Sequence, residues 1–342
     1  MEIFLDKNRF DSLYNCSFYD YDLVPRERRQ NVIPGTFLLC LYIVFELLYL
    51  PCLWVFLHAD DARRESCYRL MLLMAMLSML SINSSCLIIG VYAIRGDVFC
   101  DRPNINFLIG MFCFATYCAE SMVNFILALN RCVEMWNERI CGQIFGRHRV
   151  YLWMLGALVY GAAMGFAFPP PIPNGMLVGW FWNPHLPFSD DENGNYQHIL
   201  LPMHNFCIGF GLPLLYLIFY VLMRRKLRLI SNSNNSSNDQ QQRAGVDNRP
   251  NQMNVFLQVL LISMLNISFT YLYLYMQYFS VPNWAIIFAS FAWACSQGFI
   301  PIIYITLNRS IAKGFKNIFV TEKVNQFVST VFLYRNQPQA NR

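Results

Sequence analysis

The sequence predicts an all-α fold, a bundle of seven membrane-spanning helices, and three observations predict it. The 342 residues are 56% hydrophobic and only 14% charged, where a soluble domain carries about 25% charged residues. The apolar residues gather into seven runs, most of them long enough to cross about 30 Å of hydrocarbon as helices. Lysine and arginine are spread unevenly over the segments between those runs, as they are where a bilayer separates two compartments.

Residues 1–32 are polar and charged, with no apolar core of a cleavable signal peptide, so membrane targeting rests on the first spanning helix. Asn15-Cys16-Ser17 is a glycosylation sequon, usable if this end lies outside the cytosol. The spans fall at about 33–57, 70–94, 105–130, 150–168, 199–223, 255–279 and 284–307. Pro169-Pro170-Pro171 stops the fourth. Pro51, Pro213 and Pro301 each remove a backbone hydrogen bond inside a span, which neighbouring helices in a bundle compensate. A strand reading fails because no run alternates. Residues 231–254, rich in Ser, Asn and Gln, read as a disordered loop between helices five and six. Beyond Asn308, Arg309, Lys313 and Lys316 alternate with Ile311, Phe315, Ile318 and Phe319. That is the spacing of an amphipathic helix lying on the membrane surface, although an ordinary charged exit from a span explains the same residues. The organisation is therefore an N-terminal segment 1–32, a seven-helix domain 33–308 and a tail 309–342.

Orientation follows from the basic residues. Segments on the side of the N-terminus carry 7 Lys and Arg, and those on the other side carry 19. The bias places the N-terminus outside. Of the acids, 11 lie outside, 8 inside and 2 within the spans. Helix one alone does not choose, because Arg26, Arg28 and Arg29 on its outer flank oppose Arg63, Arg64 and Arg69 on its inner flank. An inverted seven-helix topology, as in insect odorant channels, is what that conflict leaves open.

Several residues carry candidate chemistry. Of 12 cysteines, nine lie in or beside apolar runs and Cys141 lies in an inner loop. Cys16 and Cys100 are left as the cysteines of the outer segments, where the compartment is oxidising; a disulfide and two free thiols are both open. Glu46 and Glu120 are the acids inside the spans, and an intramembrane acid faces protein or water rather than lipid. They could contact a cationic ligand, carry protons, form a polar switch with Asn83, Ser84, Ser121 and Asn124, or serve as hydrogen-bonded packing residues. Arg131, flanked by Asn130 and Cys132, sits where helix three meets the cytosol. A cation there suits a helix C-terminus; it also suits a switch that engages a cytosolic partner. Arg224, Arg225, Lys226 and Arg228 extend helix five inward, as a phospholipid-facing cluster or a docking face.

Enzyme signatures are missing: there is no GxSxG, HExxH, P-loop or GxGxxG, and the histidines show no metal-ligand spacing. No cofactor is implied. Positive charge confined to one side needs no nucleic acid. A ligand-binding receptor and a ligand-gated channel or transporter remain; a transporter should show an internal repeat, and none is visible.

The seven helices, outer N-terminus and amphipathic tail resemble a G-protein-coupled receptor. Phe299-Ile300-Pro301-Ile302-Ile303-Tyr304 looks like the rhodopsin-like NPxxY element with Ile300 in place of the asparagine, and Asn130-Arg131-Cys132 resembles DRY with only the arginine kept. A better resemblance is to the nematode serpentine chemoreceptors, class T (Srt) in particular. It rests on Tyr14-Asn15-Cys16-Ser17, Leu48-Tyr49-Leu50-Pro51-Cys52-Leu53, Cys67-Tyr68-Arg69-Leu70-Met71, Phe99-Cys100-Asp101-Arg102-Pro103 and Ile303 to Ile311, in that order along nearly the whole chain.

The resemblance implies a plasma-membrane receptor, in a sensory neuron cilium, for an odorant or other small external molecule, coupled to heterotrimeric G proteins. It also favours the Cys16–Cys100 bond and gives Pro301 and Tyr304 the place of a switch element. The expected pocket lies among the outer halves of helices three, five, six and seven. Phe112, Tyr117, Tyr271, Tyr275, Tyr278 and Trp293 are candidates to line it, and Trp180 and Trp182 are expected at the membrane interface as anchors.

Overall fold

The computed structural model describes residues 2–17, 20, 23–58, 65–146, 148–191, 194–196, 200–233, 249–279, 281–308 and 311–316. Seven helices are long and apolar enough to cross a membrane. Helix one is Val32–His58, helix two Ser66–Arg95, helix three Pro103–Trp136 and helix four Arg149–Ala167. Helix five is Leu200–Ser233 and helix six Arg249–Tyr278. Helix seven runs Asn283–Leu307, with a break at Phe299 ahead of Pro301.

Helix three is the axis of the bundle and packs against helices two, four, five and six. Small residues allow its tightest contact. A Cβ on Gly161 of helix four would lie 2.4 Å from the Ala115 carbonyl oxygen, and one on Gly165 would lie 2.6 Å from the Met111 carbonyl oxygen. Lipid-embedded helices lack a hydrophobic force between them, so such small-xxx-small faces supply close van der Waals packing instead. Outward-facing apolar residues such as Leu47, Leu152, Val159, Leu214 and Phe288 form the belt that a bilayer would cover.

Three features depart from the sequence reading. Helix two carries a π-helical turn at Asn83–Ile88, which re-aims the side chains that follow it. The inner loop expected around Cys141 is the helix Glu138–Phe145, started by Asn137, whose Oδ1 accepts from the Arg139 and Ile140 amides at 2.9 and 3.2 Å. Both edges of the expected loop 231–254 are helical, continuing helix five to Ser233 and beginning helix six at Arg249; residues 234–248 lie outside the described residues. In the tail, 311–316 are helical, with Ile311 buried, Lys313 and Lys316 exposed, and Asn308 Oδ1 accepting from the Ile311 amide at 3.2 Å. The rest of the expected tail helix, Arg309, Ile318 and Phe319 included, lies outside the described residues.

Candidate functional site: a lidded aromatic cavity and the polar core beneath it

At the end of the bundle that carries the N-terminal segment, the loop after helix four folds back as a lid. Its Pro169-Pro170-Pro171 run ends the helix, and two short antiparallel strands follow, β1 (Ile172–Asn174) and β2 (Gly179–Phe181). Three side-chain hydrogen bonds hold this hairpin. Asn31 Nδ2 donates to the Gly175 and Met176 carbonyls at 3.1 and 2.9 Å. Ser290 Oγ of helix seven donates to the Val178 carbonyl at 2.6 Å, and Val178 adopts a positive φ of 54° although it is β-branched. Gly110 of helix three lets the chain pass, since a Cβ there would sit 2.3 Å from the Pro171 carbonyl oxygen.

Under the hairpin lies a cavity of about 90 Å³. Helix three contributes Cys113, Phe114 and Tyr117; the lid contributes Pro171, Trp180 and Trp182; helix five contributes Leu201 and Asn205. Phe269 and Tyr273 of helix six and Trp293 of helix seven complete the wall. Trp293 is the hub: the rings of Tyr117, Trp180, Phe269 and Tyr273 have centroids 6.5, 6.3, 6.4 and 6.2 Å from its own. Tyr117 donates to Asn205 Oδ1 at 2.8 Å, bridging helices three and five.

Of the expected pocket residues, Tyr117 and Trp293 meet here. Phe112, Tyr271 and Tyr275 do not: they lie on the outside of the bundle, 54%, 39% and 54% exposed. The reason is helical phase. Tyr271 is two positions from the lining Tyr273, about 200° around the helix, and its hydroxyl instead donates to the Gly209 carbonyl of helix five at 2.8 Å. The side chain of Tyr278 lies outside the described residues. Trp180 and Trp182 are walls of the cavity rather than membrane anchors; Phe114 and Trp182 meet edge to face at 5.4 Å.

The N-terminal segment is built into the same end. Cys16 and Cys100 form a disulfide, with Cα atoms 5.8 Å apart. Beside it, Phe10 and Tyr14 of the nominally polar segment are buried against Phe99, Phe107, Met111 and Ile172. Tyr196 donates to the Leu13 carbonyl, and His185 Nε2 lies 3.1 Å from that same oxygen. Burial lowers the His185 pKa below 6.5, and the contact with Leu13 offsets part of that. Arg26 pairs with Asp97 at 3.1 Å and lies 3.9 Å from Asp101, Arg29 lies 3.7 Å from Asp101, and Arg95 pairs with Asp97 at 2.9 Å. Two of the arginines that obscured the choice of orientation are thus committed to acids at the near ends of helices two and three. Asn15 is exposed, and its Oδ1 accepts from the Ser17 amide at 2.9 Å.

Below the cavity, helix three carries two separate polar groups. Glu120, 2% exposed, accepts from Ser81 Oγ at 2.7 Å and from Ser78 Oγ, both on helix two. Gln297 of helix seven borders the same carboxylate, and its backbone carbonyl accepts from Tyr49 of helix one at 2.7 Å. One turn on, Asn124 Oδ1 accepts from Ser263 Oγ at 2.9 Å; that hydroxyl lies 2.5 Å from the Tyr216 hydroxyl, joining helices three, six and five.

The structure does not bring Glu46, Asn83, Ser84, Ser121 and Asn124, offered as one possible polar switch, together around Glu120. Asn83 accepts from Tyr42 at 3.2 Å, Ser84 contacts Cys113 at 2.9 Å and Ser121 bonds back to the Tyr117 carbonyl at 2.9 Å. Glu46 lies towards Tyr42 on helix one, and its Oε1 is buried with no hydrogen-bond partner among the described residues. Serines three apart on helix two reach Glu120 from one face, while the π turn sends Asn83 towards helix one. Near the break in helix seven, the Pro301 carbonyl lies 3.8 Å from Cys52 Sγ, and Tyr304 is fully buried with its ring 5.3 Å from Phe56.

At the opposite end Arg131 is folded down. Its Nε and Nη2 donate to Asn130 Oδ1 at 3.2 and 2.8 Å, and Nη2 lies 2.6 Å from Glu134 Oε2. Asn130 is itself buried and donates to Ser66 Oγ at 3.3 Å and to Cys141 Sγ at 3.6 Å. Arg224, Arg225 and Arg228 are exposed along helix five, while Lys226 lies 3.5 Å from Glu138.

The family described as serpentine type 7TM GPCR chemoreceptor Srt matches residues 3–327, from the N-terminal helices through every span. The chain belongs to this family. It is a multi-pass membrane protein and a chemosensory seven-transmembrane receptor of the Srt kind. No curated protein matches it. For this Srt receptor, sequence reasoning missed Phe114, Trp182, Asn205, Phe269 and Tyr273. Asn205 alone offered a signal, as a polar residue that sits beside His204 in the mostly apolar outer half of helix five.

Proposed function

We propose that this Srt receptor resides in the plasma membrane with its N-terminus outside, takes a small external molecule into the lidded cavity, and signals to a heterotrimeric G protein at the opposite end. The observation that carries the proposal is the cavity itself: helices three, five, six and seven and the lid all converge on it, with Trp293 at their centre. A ligand there touches helix three above Glu120 and Asn124 and so bears on both polar groups. Ligand binding shifts an equilibrium only where it favours one arrangement over the other. The second arrangement would release Arg131 from Asn130 and Glu134 and present it beside Arg224, Arg225 and Arg228. A bilayer covers the apolar belt, and a sensory cilium is the expected location.

The test is expression in a heterologous cell with a G-protein readout and a panel of volatile and water-soluble odorants. A response that requires the G protein supports the proposal. Agonist currents that persist without any G protein contradict it and favour a channel, whose insect-type form also needs the N-terminus in the cytosol.

A further inference from the structure

The cavity wall has an unusual chemical bias. Trp180 Nε1 and Trp293 Nε1 are both buried with no hydrogen-bond partner among the described residues. An indole N–H can only donate. The Ser290 and Tyr117 hydroxyls donate to the Val178 carbonyl and to Asn205, and no acceptor among the described residues lies within hydrogen-bond reach of either indole N–H. Buried donors are nearly always paired, and each one left unpaired costs free energy. Two orphaned donors on residues that wall one small cavity therefore point to a missing acceptor.

We propose that the cavity binds a compact, neutral molecule bearing a hydrogen-bond-accepting oxygen, such as a short ketone, aldehyde or ester, whose oxygen accepts from the Trp180 and Trp293 indole N–H groups. The proposal rests on the receptor reading above and names the ligand class for its site. Size sets the first limit: about 90 Å³ is far below the roughly 300–1,000 Å³ of sites for drug-sized ligands. Charge sets the second. None of the residues lining the cavity carries a formal charge, so an ion would be desolvated without a counter-charge. Aromatic boxes do recognise quaternary ammonium groups, but a cation leaves both indole donors unpaired, whereas a carbonyl satisfies them while its alkyl part packs on Phe114, Phe269 and Trp182.

The experiment uses the purified full-length chain in lipid nanodiscs and reads thermal stabilisation against concentration. The probes are 2-pentanone, its shape-matched hydrocarbon 2-methyl-1-pentene, and butyltrimethylammonium, with further short aldehydes and esters beside the ketone. The ketone, or a carbonyl probe of similar size, is expected to bind several-fold to about tenfold more tightly than the hydrocarbon, since one hydrogen bond is worth roughly two- to tenfold. Trp293→Phe and Trp180→Phe keep a ring and remove the N–H; each is expected to shrink that preference several-fold, read as the ratio of ketone to hydrocarbon affinity within the same variant.

Equal binding of ketone and hydrocarbon by the unmodified chain overturns the proposal, as does tighter binding of the ammonium or stabilisation by none of the carbonyl probes. These outcomes need no variant to fold. They leave the receptor reading standing, because nucleotide exchange on an added G protein, measured on the same preparation with a wider odorant panel, tests that reading separately.

Discussion

Replacing Glu120 tests whether the buried core between helices two, three and seven holds the bundle together. Ser78 and Ser81 both donate to its carboxylate, and the site is closed to solvent. Glu120→Leu leaves two buried hydroxyls without their acceptor. A stranded polar group costs about 1–3 kcal/mol, which sets an upper range of about 2–6 kcal/mol for the pair. In a bilayer the loosened helices find other partners, and interhelical couplings average about 0.6 kcal/mol. We therefore expect a loss of about 1–4 kcal/mol. Glu120→Gln keeps a carbonyl for one serine and an amide that the other can accept from, so its loss should stay below about 1 kcal/mol.

The assay is thermal denaturation of the purified receptor, in which a chain of 342 residues loses about 1–2 °C per kcal/mol. Leu should unfold several degrees below Gln. If Leu matched the unmodified chain, or if Gln were as damaging as Leu, the hydrogen-bonded core would not be what stabilises this region. Signalling separates a second question: a well-expressed Glu120→Gln protein with no response would assign function to the charge, and a normal response would remove that role.

Four further outcomes follow from the structure. Cys16→Ser and Cys100→Ser should lower the yield of folded receptor equally, and the double variant no further, because either change breaks the same bond; additive losses in a cell-surface assay would contradict this. Gly161→Leu should drive helices three and four apart, costing about 1–3 kcal/mol or more, read as loss of monodisperse protein by size exclusion. Stability should fall as pH drops below about 6.5, because burial disfavours protonated His185 in the folded state while the unfolded chain takes up the proton freely; melting curves should show this slope, and His185→Phe should flatten it. Asn130→Ala should raise basal nucleotide exchange by removing one of the two partners that hold Arg131, and unchanged basal exchange would argue against a latch.

The fold was legible because hydropathy and helix length are properties of local sequence. Spans near 33–57 and 284–307 agree with Val32–His58 and Asn283–Leu307 to within a residue or so. The interior of the bundle was not legible in the same way. The outer end of helix six carries tyrosines on several sides, so composition does not separate Tyr273, which lines the cavity, from Tyr271 and Tyr275, which face outward. The lid was hidden for a different reason: its strands are three residues each, too short to alternate visibly, so Trp180 and Trp182 looked like interfacial aromatics. The π turn at Asn83–Ile88 leaves no compositional mark, yet it decides which polar residues of helix two reach Glu120. By contrast, the pairing of Cys16 with Cys100 followed from compartment and family resemblance, and the structure joins them.

The most direct test of the account is ligand-stimulated nucleotide exchange on a heterotrimeric G protein by the full-length chain in nanodiscs, compared with Leu201→Trp, which fills the cavity from helix five. The account predicts that an active odorant accelerates exchange on the unmodified receptor and has no effect on the filled one, while both elute as monodisperse folded protein. An odorant response that survives in the filled variant would place the binding site elsewhere and contradict the account.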